Sequence, residues 1–309
     1  MSTVVIGFLV AALRLATPLL LAATGELLAE ESGVLNLGVE GMMLTGALSG
    51  FLGAYYTGSI LAGWLAAMAA GAALALTFGF FAITLRCHQV IVSLGLNLLA
   101  VGGTGFCYRT LFALAAHTPE ITPAGPVVVP LLGRIPWVGP VLFRHDVLVY
   151  VAFLLPALAW YFLFRTHLGA AWRAVGENPQ AADSQGIPVR RMRYLAAVTG
   201  GALAGLAGAY YSTVDLNVFL EEMTGGAGWI AVSIVIFGNW RPAGIVAAAL
   251  IFGGAEALQL RLQVAGTGVP REFIVMLPYL LTLVALASKF RSSNSPRQLS
   301  VPYVRLGRD

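Results

Sequence analysis

Three pairs of polar residues stand four apart in apolar surroundings: Glu26 and Glu30, Asn36 and Glu40, Ser93 and Asn97. Residues at that spacing share one face of a helix. Glu256 and Gln259 lie in a later apolar run, and Asp215, Glu221 and Glu222 flank a loop. An ionisable group inside a membrane span costs at least about 2.5 kcal/mol by insertion scales, so each is a functional candidate. The chemistry open to them is hydrogen bonding with a hydrophilic solute. A polar group buried without a partner costs about 1–3 kcal/mol, so a path across an apolar layer must offer partners. Asn36, Glu40, Asn97, Glu222 and Glu256 are the candidates for that path. Neutral Asn36 and Asn97 suit it best, because tight binding would trap the solute. The glutamates can instead order glycine-rich turns through backbone N–H groups. Polar groups in a bundle also often only join neighbouring helices.

A second group of residues suits mechanical work. Thr166 to Arg193, THLGAAWRAVGENPQAADSQGIPVRRMR, is a long polar interruption between apolar runs. Asn178 can cap a helix by accepting from an orphan backbone N–H. Pro179 fits the first helical position. Gly186 is a natural stop, and Pro188 prevents continuation. The spacing predicts a helix of roughly two turns over 179–185, about 10 Å long at 1.5 Å per residue. So short a helix is marginal alone in water, and Ala181 and Ala182 bury little by themselves. It is suited to lie against something else. An ordinary capped loop helix is the plainer alternative.

These residues need helices to position them. The chain has 309 residues, 58% hydrophobic and 10% charged, far from the charged fraction of about 25% usual in soluble domains. Several apolar runs approach the roughly 20 residues that span a bilayer as helix. The fold class expected is all-α: a polytopic transmembrane bundle of about nine spans with a short cytoplasmic helix. The spans are 4–24, 38–56, 60–85, 90–111, 147–164, 194–213, 227–240, 243–260 and 273–288. The membrane domain covers 1–291, and a basic tail covers 292–309. The first run reads as a retained helix rather than a signal peptide, because it carries Arg14 and Pro18 inside it.

Twelve basic residues fall in one set of loops and five in the opposite set. The positive-inside rule then puts 166–193 and the C-terminus in the cytoplasm. Ala113 to Asp146 falls outside. Its six prolines forbid a long helix and leave a stiff loop or an external cap. The run 227–240 is too short to span comfortably, and glycine-interrupted segments of this kind mark broken helices near a substrate path. Gly46 and Gly50, and Gly201 and Gly205, have the spacing that lets helices approach closely, a weak signal among 36 glycines.

Several function classes drop out. The single lysine, Lys289, leaves no G-x-x-x-x-G-K-[ST] loop for ATP, and neither HExxH nor GxSxG occurs. Cys87 and Cys107 on or beside one helix would be about 30 Å apart, beyond disulfide reach. The four histidines have no metal-ligand spacing. The net charge of +4 comes from membrane-flanking loops and does not suggest nucleic acid.

Two stretches together resemble a known family. SGVLNLGVEGMMLTGA, Ser32 to Ala47, is similar to the glycine-rich N-terminal motif of bacterial ABC importer permeases for ribose, branched-chain amino acids and nucleosides. AVGENPQAADSQGI, Ala174 to Ile187, resembles that group's cytoplasmic coupling loop, G-x-N-P-x-A-A-x-x-x-G-I, with Gly176, Asn178, Pro179, Ala181, Ala182, Gly186 and Ile187 matching. GGAGWIAVSIVIFGNWRP is similar to its late segment. The likeness runs from about Ala16 to Ser288, and the NLGVEGMM wording is nearest the nucleoside and simple-sugar branch. The resemblance implies that Gly176 to Ile187, Glu177 included, couple the chain to an ATPase. It implies ABC ATPase subunits holding ATP and Mg, a second paralogous permease or a second copy, and an extracytoplasmic solute-binding protein. This chain itself would bind no cofactor and would lie among lipid in the bacterial plasma (inner) membrane. Two alternatives remain: branched-chain amino acids or another sugar as the solute, and a secondary transporter driven by ions through Glu40 and Glu256.

Overall fold

The computed structural model describes residues 2–114, 119–123, 125, 127–128, 138–265, 270–288 and 294–305. These residues are mostly helical. The long elements are α1 (Ser2–Glu31), α2 (Val39–Thr57), α3 (Ile60–Gly79) and α4 (Gln89–Phe112). After the short α5 (Val138–Leu142) come α6 (Val147–Arg165), α7 (His167–Glu177), α8 (Pro179–Ser184) and α9 (Val189–Tyr210). The chain closes with α10 (Ala227–Phe237), α11 (Pro242–Val264), α12 (Arg271–Val275) and α13 (Leu277–Ser288). Two-residue strands, β1 (Val127–Val128) and β2 (Arg144–His145), pair antiparallel beside α5.

Among the described residues, five helices are long and apolar enough to cross a membrane: Val4–Glu31, Ile60–Thr84, Gln89–Phe112, Val147–Arg165 and Pro242–Val264. Each predicted span falls on helix, but the boundaries move. The first helix continues past 24 to Glu31 despite Pro18. The run 227–240 yields only the 11 residues of α10. The last run is broken at Met276, just before Pro278, whose ring and missing N–H oppose continuous helix. α3 and α9 each end in a π-helical turn, Phe80–Thr84 and Tyr211–Asp215.

α9 stands at the centre, packed against α1, α2 and α3. Glycine makes this possible. A Cβ on Gly46 of α2 would run into the Gly205 carbonyl of α9, and one on Gly71 of α3 into the Gly201 carbonyl. Gly46 therefore meets Gly205 directly, while Gly50 meets Ala209 of α9 and Gly201 meets Gly71 and Ala75 of α3. Lipid supplies no hydrophobic drive between helices, so close van der Waals approach holds them. Apolar side chains instead point outward elsewhere: Ile91, Leu94, Leu98 and Phe106 of α4 are exposed, while Gln89, Ser93 and Asn97 are buried.

The described parts of the proline-rich segment pack on the bundle. Ile121 is buried beside Phe219, and its N–H donates to the Asn217 carbonyl at 3.0 Å. α5 lies against α1.

Candidate functional site

The segment 32–38 between α1 and α2 leaves the helix yet stays mostly buried. Backbone groups away from water need partners. Side chains from other elements supply them. The Leu35 N–H donates to Gln89 Oε1 at 2.8 Å, and the Asn36 N–H to Glu26 Oε1 at 2.9 Å. Asn97 bridges the start of α2: its Oδ1 accepts from the Gly41 N–H at 2.8 Å, and its Nδ2 donates to the Leu37 carbonyl at 2.9 Å. Asn36 is fully buried and turns inward, accepting from the Gly38 N–H at 3.1 Å. Both asparagines thus spend their polar ends on holding this segment.

Glu40, on the first turn of α2, joins the segment to a second break. Its carboxylate accepts from Thr224 Oγ1 at 2.6 Å, from the Gly226 N–H at 3.0 Å and from the Gly228 N–H at 2.7 Å. These N–H groups open α10, so Glu40 caps a helix of another element and meets the positive end of its dipole. Gly226 has φ +89, a left-handed conformation that suits glycine, and Gly228 has room for no side chain against the Glu40 backbone. Two glycine-interrupted entries meet at one carboxylate. Glu30 accepts from Trp240 Nε1 at 2.5 Å beyond the far end of α10.

Around Tyr211 the structure gathers Glu40, Glu256 and Asp215 within electrostatic reach. Asp215 pairs with Arg14 of α1 at 3.7 Å, which explains the arginine inside the first span. Glu222 is not part of this cluster of acids. It sits exposed on a turn with φ 57, its carbonyl accepting from the Gly225 N–H. Sequence reasoning did not pick out Gln89 and left Arg14 without a partner. For Gln89 the only signal was a polar residue just before an apolar run.

The short helix forms where its cap chemistry predicts. Asn178 Oδ1 accepts from the Ala181 N–H at 3.0 Å, and Pro179 occupies the first turn. Gly186, at φ +81, ends it, and the Ile187 N–H returns to the Ala182 carbonyl at 3.0 Å. The two alanines of this helix, expected to bury little, differ. Ala182 is only 3% exposed and packs among Val175, Val189, Ile187 and Tyr303. The outward face consists of Gln180, Ala181, Ser184 and Gln185. Gly176 is small because α7 crosses the end of α1 there, where a Cβ would strike the Glu31 carbonyl.

The tail folds back onto this region. The Gln298 N–H donates to the Gly176 carbonyl at 3.0 Å, and the Ser300 N–H to the Gly33 carbonyl at 3.1 Å. Arg305 pairs with Asp183 at 2.9 Å, and Arg297 with Glu177 at 3.8 Å. Residues 306–309 lie outside the described residues.

With this geometry in place, comparison with known proteins decides the family. Residues 8–286 match the model of the branched-chain amino acid transport system / permease component. The chain belongs to this permease family. Among relatives of the permease, the guanosine ABC transporter permease protein NupQ of Bacillus subtilis is 36% identical over 96% of this chain and 95% of its own. The provisionally named glucose ABC transporter permease protein TsgC13 of Haloferax volcanii is 44% identical over 83% of this chain and 78% of its own. The nucleoside ABC transporter permease protein NupC of Lactococcus lactis is 31% identical over 94% of each chain. No solved structure matches the permease.

Proposed function

We propose that this permease is the membrane subunit of an ATP-binding cassette importer that moves a nucleoside or related simple sugar into the cytoplasm. The observation that carries the reading is near full-length similarity to a permease named for guanosine, joined by one named for glucose. ATP and Mg would be held by separate ATPase subunits, since this sequence has no phosphate-binding lysine loop. The outward face of α8 would dock on such a subunit, with Gly176 to Ile187 forming the coupling element. A second permease, paralogous or identical, would complete the path, and an extracytoplasmic binding protein would deliver the solute. In this reading the chain crosses the inner membrane nine times and keeps α7, α8 and the tail in the cytoplasm. The solute path would run past Glu40 and Glu256, with Asn36 and Asn97 shaping its wall. Alternating access needs a two-state element, and the joined breaks at α2 and α10 provide a place for one.

The test is uptake into proteoliposomes holding this permease, its partner permease and its ATPases. Guanosine or glucose should accumulate with ATP and binding protein and without an ion gradient. Uptake driven by a proton or sodium gradient with no ATP would favour a secondary transporter instead. The family model's own description favours a second solute class, branched-chain amino acids. Valine uptake in the same vesicles, with no guanosine or glucose uptake, would select it.

A further inference from the structure

A cavity of about 440 Å³ opens at the α7–α8 end of the bundle. Its walls are the π-helical end of α3, α8, the first turn of α9 and the tail. Arg86, Arg190, Arg191, Arg193 and Arg305 line it, and Asp183 is the single acid among the lining residues. Arg305 is committed to Asp183. Arg193 is buried and donates to the Val301 carbonyl at 2.8 Å, and Arg190 donates to Thr84 Oγ1. Neither partner of these last two carries charge. Arg86 and Arg191 form no ion pair among the described residues. Arg86 is also held at φ 60, where a non-glycine residue is uncommon.

Like charges gathered in a partly enclosed, low-dielectric cleft repel, and the cleft focuses a positive potential. An anion relieves that repulsion. The groups present suit phosphate: guanidinium forks match its oxygens, and the first N–H groups of α9 have no intrahelical partner. The surroundings say where the phosphate comes from. Phe80, Phe81 and Leu85 are exposed on the same stretch as the lining residues Ile83, Thr84 and Arg86. Exposed apolar side chains there suit the acyl region of a bilayer. The ligand therefore has an anionic head and an apolar body.

We propose that this cavity binds the phosphate headgroup of an anionic phospholipid from the adjacent leaflet. Arg86, Arg190 and Arg191 bind the phosphate, and the acyl chains lie along Phe80 and Leu85. Basic pockets between helices at the cytoplasmic side of a membrane take headgroups in this way. Asp183 of α8 lines the same cavity. The inference rests on the chain being embedded in a membrane and not on the solute it moves.

The experiment uses the full chain in nonionic detergent micelles. Native mass spectrometry counts retained phosphatidylglycerol and phosphatidylcholine of the same acyl chains. Phosphatidylglycerol should be retained preferentially. Arg86→Gln combined with Arg191→Gln should lower its affinity by about thirtyfold, the effect of two such charges near a membrane surface. Arg86→Lys with Arg191→Lys, which keeps the charge, should keep the preference. Arg241→Gln, at the same end of the bundle but outside the cavity, should change nothing. Equal retention of the two lipids by the wild-type chain overturns the proposal. So does an undiminished preference in the folded double-glutamine variant. Displacement by inorganic phosphate at equal concentration would assign the cavity to free phosphate and reject the lipid. Loss of ATPase docking in the glutamine variant without any lipid preference would make it a protein interface, and the proposal fails there too.

Discussion

Single polar residues in this permease do mostly architectural work, and their substitution should read out as stability. Glu40 accepts three hydrogen bonds, two of them from backbone N–H groups that open α10. Glu40→Ala strands those donors, at about 1–3 kcal/mol for each one left unpaired. The thermal unfolding midpoint in micelles should fall clearly, and less for Glu40→Gln, which keeps one acceptor. An unchanged midpoint for the alanine variant would remove Glu40 as the joint between α2 and α10. Glu26 offers a parallel case. Its Oε1 accepts the Asn36 N–H, while its Oε2 and Glu30 Oε1 are buried with no donor from a third residue. Glu26→Gln retains an acceptor for Asn36 and adds an N–H for Glu30, so its midpoint should stay near the wild-type value. Glu26→Leu should lower it, because the Asn36 N–H loses its partner. Equal midpoints for the two variants would show that this bond contributes nothing measurable.

Among elements, α8 and α9 make opposite demands on small residues. Ala181 faces outward and Ala182 inward. Ala181→Trp should leave the fold intact and reduce ATPase docking and transport, because it adds bulk only to the exposed face. Ala182→Trp forces an indole into Val175, Val189 and Tyr303, and overpacking of this kind typically costs about 1–3 kcal/mol. Normal pull-down of the ATPase by the Ala181→Trp variant would move docking off this face. On α9 the constraint is backbone contact. A Cβ on Gly208 would strike the Met43 carbonyl of α2. Gly208→Val should therefore lower the yield of folded protein more than Gly102→Val, which has nothing within contact distance, beyond the usual cost of valine in helix. Size-exclusion profiles of the two variants make the comparison.

At the scale of the whole molecule, the arrangement joins the α7–α8 end to the buried interior. The tail bonds both Gly176 and Gly33, so one strap touches the proposed docking element and the segment that leads into α2. Orientation in the membrane can be read from one cysteine. Cys87 is exposed in the loop between α3 and α4, at the end that carries most of the arginines. With Cys107 replaced by serine, an impermeant maleimide should label Cys87 only after the cells are opened. Labelling of intact cells would invert the topology and place α8 out of reach of any cytoplasmic ATPase.

Much of this was legible in the sequence because it is local. Apolar run length marked the helices, and Asn178, Pro179 and Gly186 marked the start and stop of α8, since capping is decided within a few residues. The tertiary structure decided what depends on distant partners. It alone showed that Asn97 and Gln89 bind the 35–41 segment, that Glu40 caps α10 and that Arg14 meets Asp215. It also turned Ala182 inward, because Val175, Val189 and Tyr303 arrive from three other parts of the chain. A residue's type states which bonds it can make. Only the packing of helices states which donor or carbonyl stands within 3 Å of it, because side-chain hydrogen bonds weaken steeply with distance and angle.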